Sequence, residues 1–71
     1  MLTMKAKYAL RALSTLAQHE GMPLTARQIS ELARVPESFL EAILVELRRA
    51  GYVASKRGLQ GGHQLAKAPH D

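Results

Sequence analysis

The stretch from Val35 to Leu65, VPESFLEAILVELRRAGYVASKRGLQGGHQL, changes its hydrophobic period partway along, and that change fixes most of what the chain can become. The first half repeats at three and four residues. Leu40, Ile43, Leu44 and Leu47 share one side of a helical wheel, while Ser38, Glu41, Ala42, Val45 and Arg49 share the other. Gly51 follows the last periodic residue, where helices commonly stop in a left-handed conformation, and Arg48 and Arg49 suit the negative end of the helix dipole. From Tyr52 the pattern is strand-like. Tyr52–Lys56 and Gln64–Lys67 read as two short antiparallel strands joined by Lys56-Arg57-Gly58-Leu59-Gln60-Gly61-Gly62. A hairpin alone is marginal in water, so it has to rest on the helices, and a pairing with Leu24 would help hold it.

Upstream, the spacing predicts a helix over Met4–His19 with Thr3 as its N-cap. Ala6, Ala9, Leu10, Leu13, Leu16 and Ala17 form its expected core stripe, with Lys7, Arg11, Ser14 and Gln18 opposite. Gly21-Met22-Pro23 ends it. Thr25, with Gln28 three residues on, is a capping box opening a second helix, whose buried side is expected to be Ile29, Leu32 and Ala33. Arg27, Gln28, Ser30 and Glu31 are expected to point outward. Arg34-Val35-Pro36 is a tight connection, since Pro36 cannot continue one helix but suits the start of the next. Two helices joined in this way form a helix-turn-helix pattern. Three helices followed by a hairpin give a mainly α fold with a small β-hairpin: a winged helix-turn-helix with a two- or three-stranded wing. Residues 1–71 read as one such domain, with Pro69-His70-Asp71 resembling the start of a linker.

Size and composition narrow the function. A chain of 71 residues buries only about 60% of its unfolded surface, and its stability without staples is on the order of 3–5 kcal/mol. The sequence has no cysteine, which excludes a disulfide or a thiolate metal site on these residues and fits a reducing compartment. His19, His63 and His70 are scattered without acids at ligand spacing, so no metal site is expected. The serines lack a paired histidine and acid by any local pattern, which points away from an enzyme and from a small-molecule substrate. The longest strongly apolar run, Ala42–Val45, is far too short to span a membrane. Met1–His19 carries Lys5, Lys7 and Arg11 and no acid, as a transit peptide would, but its apolar positions align with a core stripe and a cytoplasmic location is expected. Ten Lys and Arg against six Asp and Glu, a net charge of +4, favour an anionic partner. With Tyr8, Phe39 and Tyr52 as the only aromatics, that partner is double-stranded DNA rather than a stacked single strand.

On this reading the outward face of the third helix enters the major groove. Ser38 can donate or accept, Glu41 can accept from a cytosine amino group, and Ala42 or Val45 can touch a thymine methyl. Phe39 lies between the two faces and is expected mainly to pack. The loop Lys56, Arg57, Gly58, Leu59, Gln60, Gly61, Gly62 is the stronger feature. Three glycines let a backbone approach a phosphate or enter a narrow groove, and Arg57 at its root suits a narrow A·T minor groove. It is not a nucleotide-binding loop, because GxxxxGK[ST] is missing and a strand follows. Lys7, Arg11, Arg48 and Arg49 are the cations assigned to phosphates.

The opening LTMKAKYALRALSTLA, the segment TARQISELARVPESFLEAILVELRRAGYVAS and the loop KRGLQGGHQLAK together resemble the Rrf-two family of bacterial winged-helix regulators. The most specific parts are Lys5–Ala9, Phe39-Leu40-Glu41, and Arg57-Gly58 with Gly61-Gly62. The resemblance implies a sequence-specific transcriptional regulator, usually a repressor, acting as a homodimer. It implies base reading by Ser38, Phe39, Glu41 and Ala42, a wing beginning at Arg57 and Gly58, and backbone contacts near Lys5, Lys7, Tyr8 and Thr25. It also implies a dimerisation helix and, in sensing members, cysteines for an iron–sulfur cluster, and neither falls within this sequence; a cluster on this chain is unsupported. The rival expectation is a winged-helix protein-interaction module, or a short paralogue that pairs with a full-length regulator.

Overall fold

A computed structural model describes residues 3–56 and 62–66. Three helices, α1 (Met4–Gln18), α2 (Ala26–Ala33) and α3 (Glu37–Arg49), precede two strands, β1 (Val53–Lys56) and β2 (Gly62–Leu65). Each helix start is chemically marked. Thr3 accepts from the Ala6 amide at 3.1 Å. Thr25 and Gln28 form the expected reciprocal box, with bonds of 3.1 and 2.9 Å. Such a cap contributes about 1 kcal/mol. At the start of α3, Val35 and Leu40 occupy the two positions of a hydrophobic staple, and both are buried.

The turn between α2 and α3 depends on Arg34, which sits in the left-handed region at φ 58°. That conformation costs a residue with a side chain roughly 1–2 kcal/mol. It lets the Val35 amide reach back to the Ser30 carbonyl at 3.1 Å. The Ser30 hydroxyl in turn donates to the Val35 carbonyl at 2.6 Å, so Ser30, expected to face outward, is instead half-buried in the turn. At the other end of α3, Gly51 adopts φ 89° and closes the helix as the sequence suggests.

The core gathers Ala12 and Leu16 from α1, Leu24, Ile29 and Ala33 from α2 and its approach, Val35, Leu40, Ile43, Leu44 and Leu47 around α3, and Val53 from β1. The apolar face read for α3 is the buried one. The stripe read for α1 is displaced: Leu10 is 55% exposed and Ala17 is exposed, whereas Ala12 and Thr15 are buried. Leu32 of α2, expected inside, is 53% exposed. One cause accounts for the α1 displacement. This helix packs against α2, α3 and β2 together, and small residues at positions 12 and 15 allow that close approach where leucines would hold the helices apart.

The strands pair antiparallel with Val53 opposite Leu65, Ala54 opposite Gln64, Ser55 opposite His63 and Lys56 opposite Gly62. Leu24 adds the expected third partner as a single bridge to His63, with N···O distances of 2.9 and 2.6 Å. β2 starts at Gly62, two residues earlier than the sequence pattern suggests, and the bridge explains why. A Cβ at Gly62 would lie 2.8 Å from the Leu24 carbonyl oxygen, so only glycine lets the strand lie this close to the Leu24 backbone.

Candidate nucleic-acid interface

The core-facing leucines leave the opposite face of α3 open. Ser38, Glu41, Ala42, Val45 and Arg49 are all exposed along it, and Val45 keeps 40% of its surface accessible. This face is bordered by two flanks that differ in chemistry. Phe39 and Glu46, two turns apart, lie toward α1; Glu41 and Arg48, also two turns apart, lie toward the hairpin.

On the α1 flank the Tyr8 and Phe39 rings meet edge to face, with centroids 5.4 Å apart and planes at 70°. Such a pair contributes about 0.5–1.5 kcal/mol beyond its burial. Phe39 nonetheless remains 48% exposed, so it both packs against Tyr8 and leaves part of its surface open next to Ser38 on α3. The Arg11 guanidinium lies 5.8 Å from the Tyr8 ring centroid and donates Nη1 to the Arg34 carbonyl at 3.4 Å. Arg11 is thereby held beside the turn that precedes α3. Lys7, one turn before it on the same side of α1, is exposed. Lys5 lies further along α3, where its ammonium pairs with the Glu46 carboxylate. An exposed pair of this kind contributes about 0–1 kcal/mol, and here it engages one of the cations assigned to phosphate.

On the hairpin flank Arg48 Nη1 donates to Ser55 Oγ at 2.9 Å, and Ser55 Oγ lies 3.3 Å from His63 Nδ1. Arg48, Glu41 and His63, with Ala26, Leu44 and Val45, line a cleft of about 250 Å³ between the start of α2, α3 and β2. Thr25, which precedes Ala26 in the chain, has its side chain engaged in the capping box. Burial and the neighbouring Arg48 charge both hold the His63 imidazole below its ordinary pKa, burial being the larger cause.

The structure therefore brings Tyr8, Arg11 and Phe39 together at one end of α3, and Arg48 to the loop-side half of the hairpin at the other. Lys7, Arg11, Arg48 and Arg49 take part in no ion pair among the described residues. The Lys56 backbone closes β1 opposite Gly62. Its side chain, and the wing residues Arg57, Gly58, Leu59, Gln60 and Gly61, lie outside the described residues. Ser55 and His63 were not singled out as site residues by sequence reasoning. Their partnership depends on hairpin register, which no local spacing reveals.

The model of the Rrf2 family, described as an iron-dependent transcriptional regulator, matches residues 2–71. An rrf2-like HTH-type transcriptional regulator of Rhodobacter capsulatus is 48% identical over the whole of this chain and 50% of its own length. The HTH-type regulator IscR of Aliivibrio salmonicida is 42% identical over 99% of this chain and 42% of its own. Among solved structures, T. potens IscR superposes with a TM-score of 0.88 at 40% identity, over 97% of this chain and 51% of that one. CymR, the global cysteine regulator of B. subtilis, gives 0.87 at 33% identity, over 97% of this chain and 54% of that one. The chain thus spans about half the length of the relatives it matches. Iron has no fitting donor set here: the sequence holds no cysteine, and among the described residues no three His, Cys, Asp or Glu groups gather as metal ligands. No helix among the described residues is long and apolar enough to cross a membrane. Matched by the family model over nearly its full length and superposable on two solved regulators, this chain belongs to the Rrf2 family of transcriptional regulators.

Proposed function

We propose that the chain is a DNA-binding domain of a sequence-specific transcriptional regulator, acting as a repressor in the cytoplasm. The observation that carries this reading is the open face of α3, left exposed by a buried opposite face and bordered at both ends by arginines that meet no acid among the described residues. Ser38, Phe39, Glu41, Ala42 and Val45 read base edges in the major groove. Arg11, Lys7, Arg48 and Arg49 hold the flanking phosphates, with Tyr8 and Thr25 beside them. Lys5 joins them when a phosphate competes with Glu46. The loop from Lys56 to Gly62 enters the minor groove, led by Arg57. Residues 1–71 act as one domain, and a homodimer places two such domains on a two-fold operator. No cofactor is held by these residues; any iron–sulfur cluster would need ligands from elsewhere.

Selection of bound duplexes from a random-sequence pool tests this directly. Enrichment of a half-site is the expected outcome. Recovery of the unselected pool at every salt concentration contradicts sequence-specific binding. With about six phosphates neutralised, log affinity should fall against log salt with a slope near −5.

A further inference from the structure

We infer that His63 joins Arg48 in holding one backbone phosphate of the duplex at the mouth of the cleft between α2, α3 and β2, taking up a proton as it does so. This rests on the DNA-binding reading above and adds a contact which that reading leaves out.

The geometry is a relay. Arg48 Nη1 donates to Ser55 Oγ at 2.9 Å, which leaves the hydroxyl hydrogen free to point at His63 Nδ1, 3.3 Å away. In that arrangement Nδ1 accepts, the imidazole is neutral, and Nε2–H is left for the cleft that His63 lines. Protonation turns Nδ1 into a donor. Ser55 Oγ has two lone pairs and can accept from Arg48 and His63 at once, so the hydroxyl rotates and the relay survives. Two cations then share one wall of the cleft.

The surroundings decide when this happens. From α3 the cleft receives Arg48 and, two turns nearer the helix start, Glu41; the two positions are about 10 Å apart along the axis. From β1 the neighbour is the uncharged Ser55, and Leu24 and Ala26 offer no titratable side chain. Glu20, past the end of α1, faces Ala54, Gln64 and Leu65 instead. In the free chain burial and Arg48 therefore keep His63 neutral, with its pKa below the ordinary value of 6.5. A phosphate within reach of both groups reverses the balance, because an opposite charge within roughly 4–6 Å favours the charged imidazole.

Two opposite pH dependences follow from one residue. In the free chain the unfolded form binds the extra proton first, so stability falls as pH drops through about 6.5 toward the depressed folded value. On duplex DNA the bound form holds the extra proton, so affinity rises as pH falls from the raised bound value toward the depressed free value, by up to about tenfold per pH unit. The experiment is an NMR titration of the His63 imidazole in the intact chain, alone and with a random-sequence duplex, alongside duplex affinity against pH for the wild type and His63→Gln. The expected result is a rise in the His63 pKa on duplex addition and a flatter affinity profile in His63→Gln. Inorganic phosphate at matched ionic strength should leave the pKa where it is; a rise as large as the duplex gives would overturn the assignment to a duplex phosphate. A His63 pKa that stays put or falls on the duplex, with binding intact, overturns this inference and leaves the DNA reading standing. Absence of duplex binding at any pH or salt overturns both.

Discussion

The two flanks of α3 carry similar residue types and use them in opposite ways. Toward α1, Glu46 meets Lys5 and Phe39 meets Tyr8, so the acid of α3 is spent within the fold, while Phe39 keeps 48% of its surface exposed. Toward the hairpin, Arg48 meets the neutral Ser55–His63 pair and no acid among the described residues, and the cleft beside it stays open. An acid opposite a lysine ties two helices together. An arginine opposite a serine keeps its charge for something outside. The hairpin flank is thus where anionic partners have most to gain, and the α1 flank is where α3 is aimed.

Disturbing the hairpin flank at its foundation should have the largest effect. Gly62→Ala forces a methyl group against the Leu24 backbone at 2.8 Å. It should cost about 1–3 kcal/mol, as overpacking does, read as a lower denaturant midpoint and faster exchange of the His63 amide. Glu41→Ala comes next, on binding rather than stability. It should lose about 1–3 kcal/mol of discrimination at a single base position while random-sequence affinity holds. An equal loss on selected and random duplexes would remove Glu41 from base reading. Phe39→Leu gives up the edge contact with Tyr8 and should cost about 0.5–1.5 kcal/mol in chemical denaturation. Glu46→Gln should be the mildest, within about 1 kcal/mol in stability. It frees Lys5, so affinity for every duplex should rise and the salt slope should steepen by about 1. A drop in affinity would mean that the Lys5–Glu46 pair positions α3 for DNA.

What could be read in the residues before the structure divides along the same line between local and non-local chemistry. The Thr25–Gln28 box, the buried side of α3 and the stop at Gly51 each depend on residues within a turn or two, and each appears as read. The α1 stripe held at Leu16 and in part at Ala9 and Leu13, but it misplaced Leu10 and Ala17, because hydrophobicity favours leucine whereas the position of closest helix approach demanded Ala12 and Thr15. Arg34 gave no sign of its left-handed conformation, since glycine or asparagine is the usual marker there. For the candidate site, the open face from Ser38 to Val45 was legible from periodicity alone. The Arg48–Ser55–His63 relay was not, because it joins residues through a strand pairing whose register the five residues between the strands conceal.

A third surface sets the contrast for the decisive test. Leu10, Leu13, Ala17, Tyr52, Leu65 and Ala66 line an apolar groove between α1 and the open end of the hairpin, and none of them belongs to the α3 face. Tyr52 is 59% exposed there. Amide chemical shifts of the intact chain, followed as a selected duplex is added, separate these surfaces in one measurement. Shifts should concentrate on Ser38–Val45 and on Arg48, Ser55 and His63, with Leu10, Leu13, Tyr52 and Leu65 unmoved. Shifts confined to that apolar groove, with the α3 face silent, would contradict DNA binding through α3.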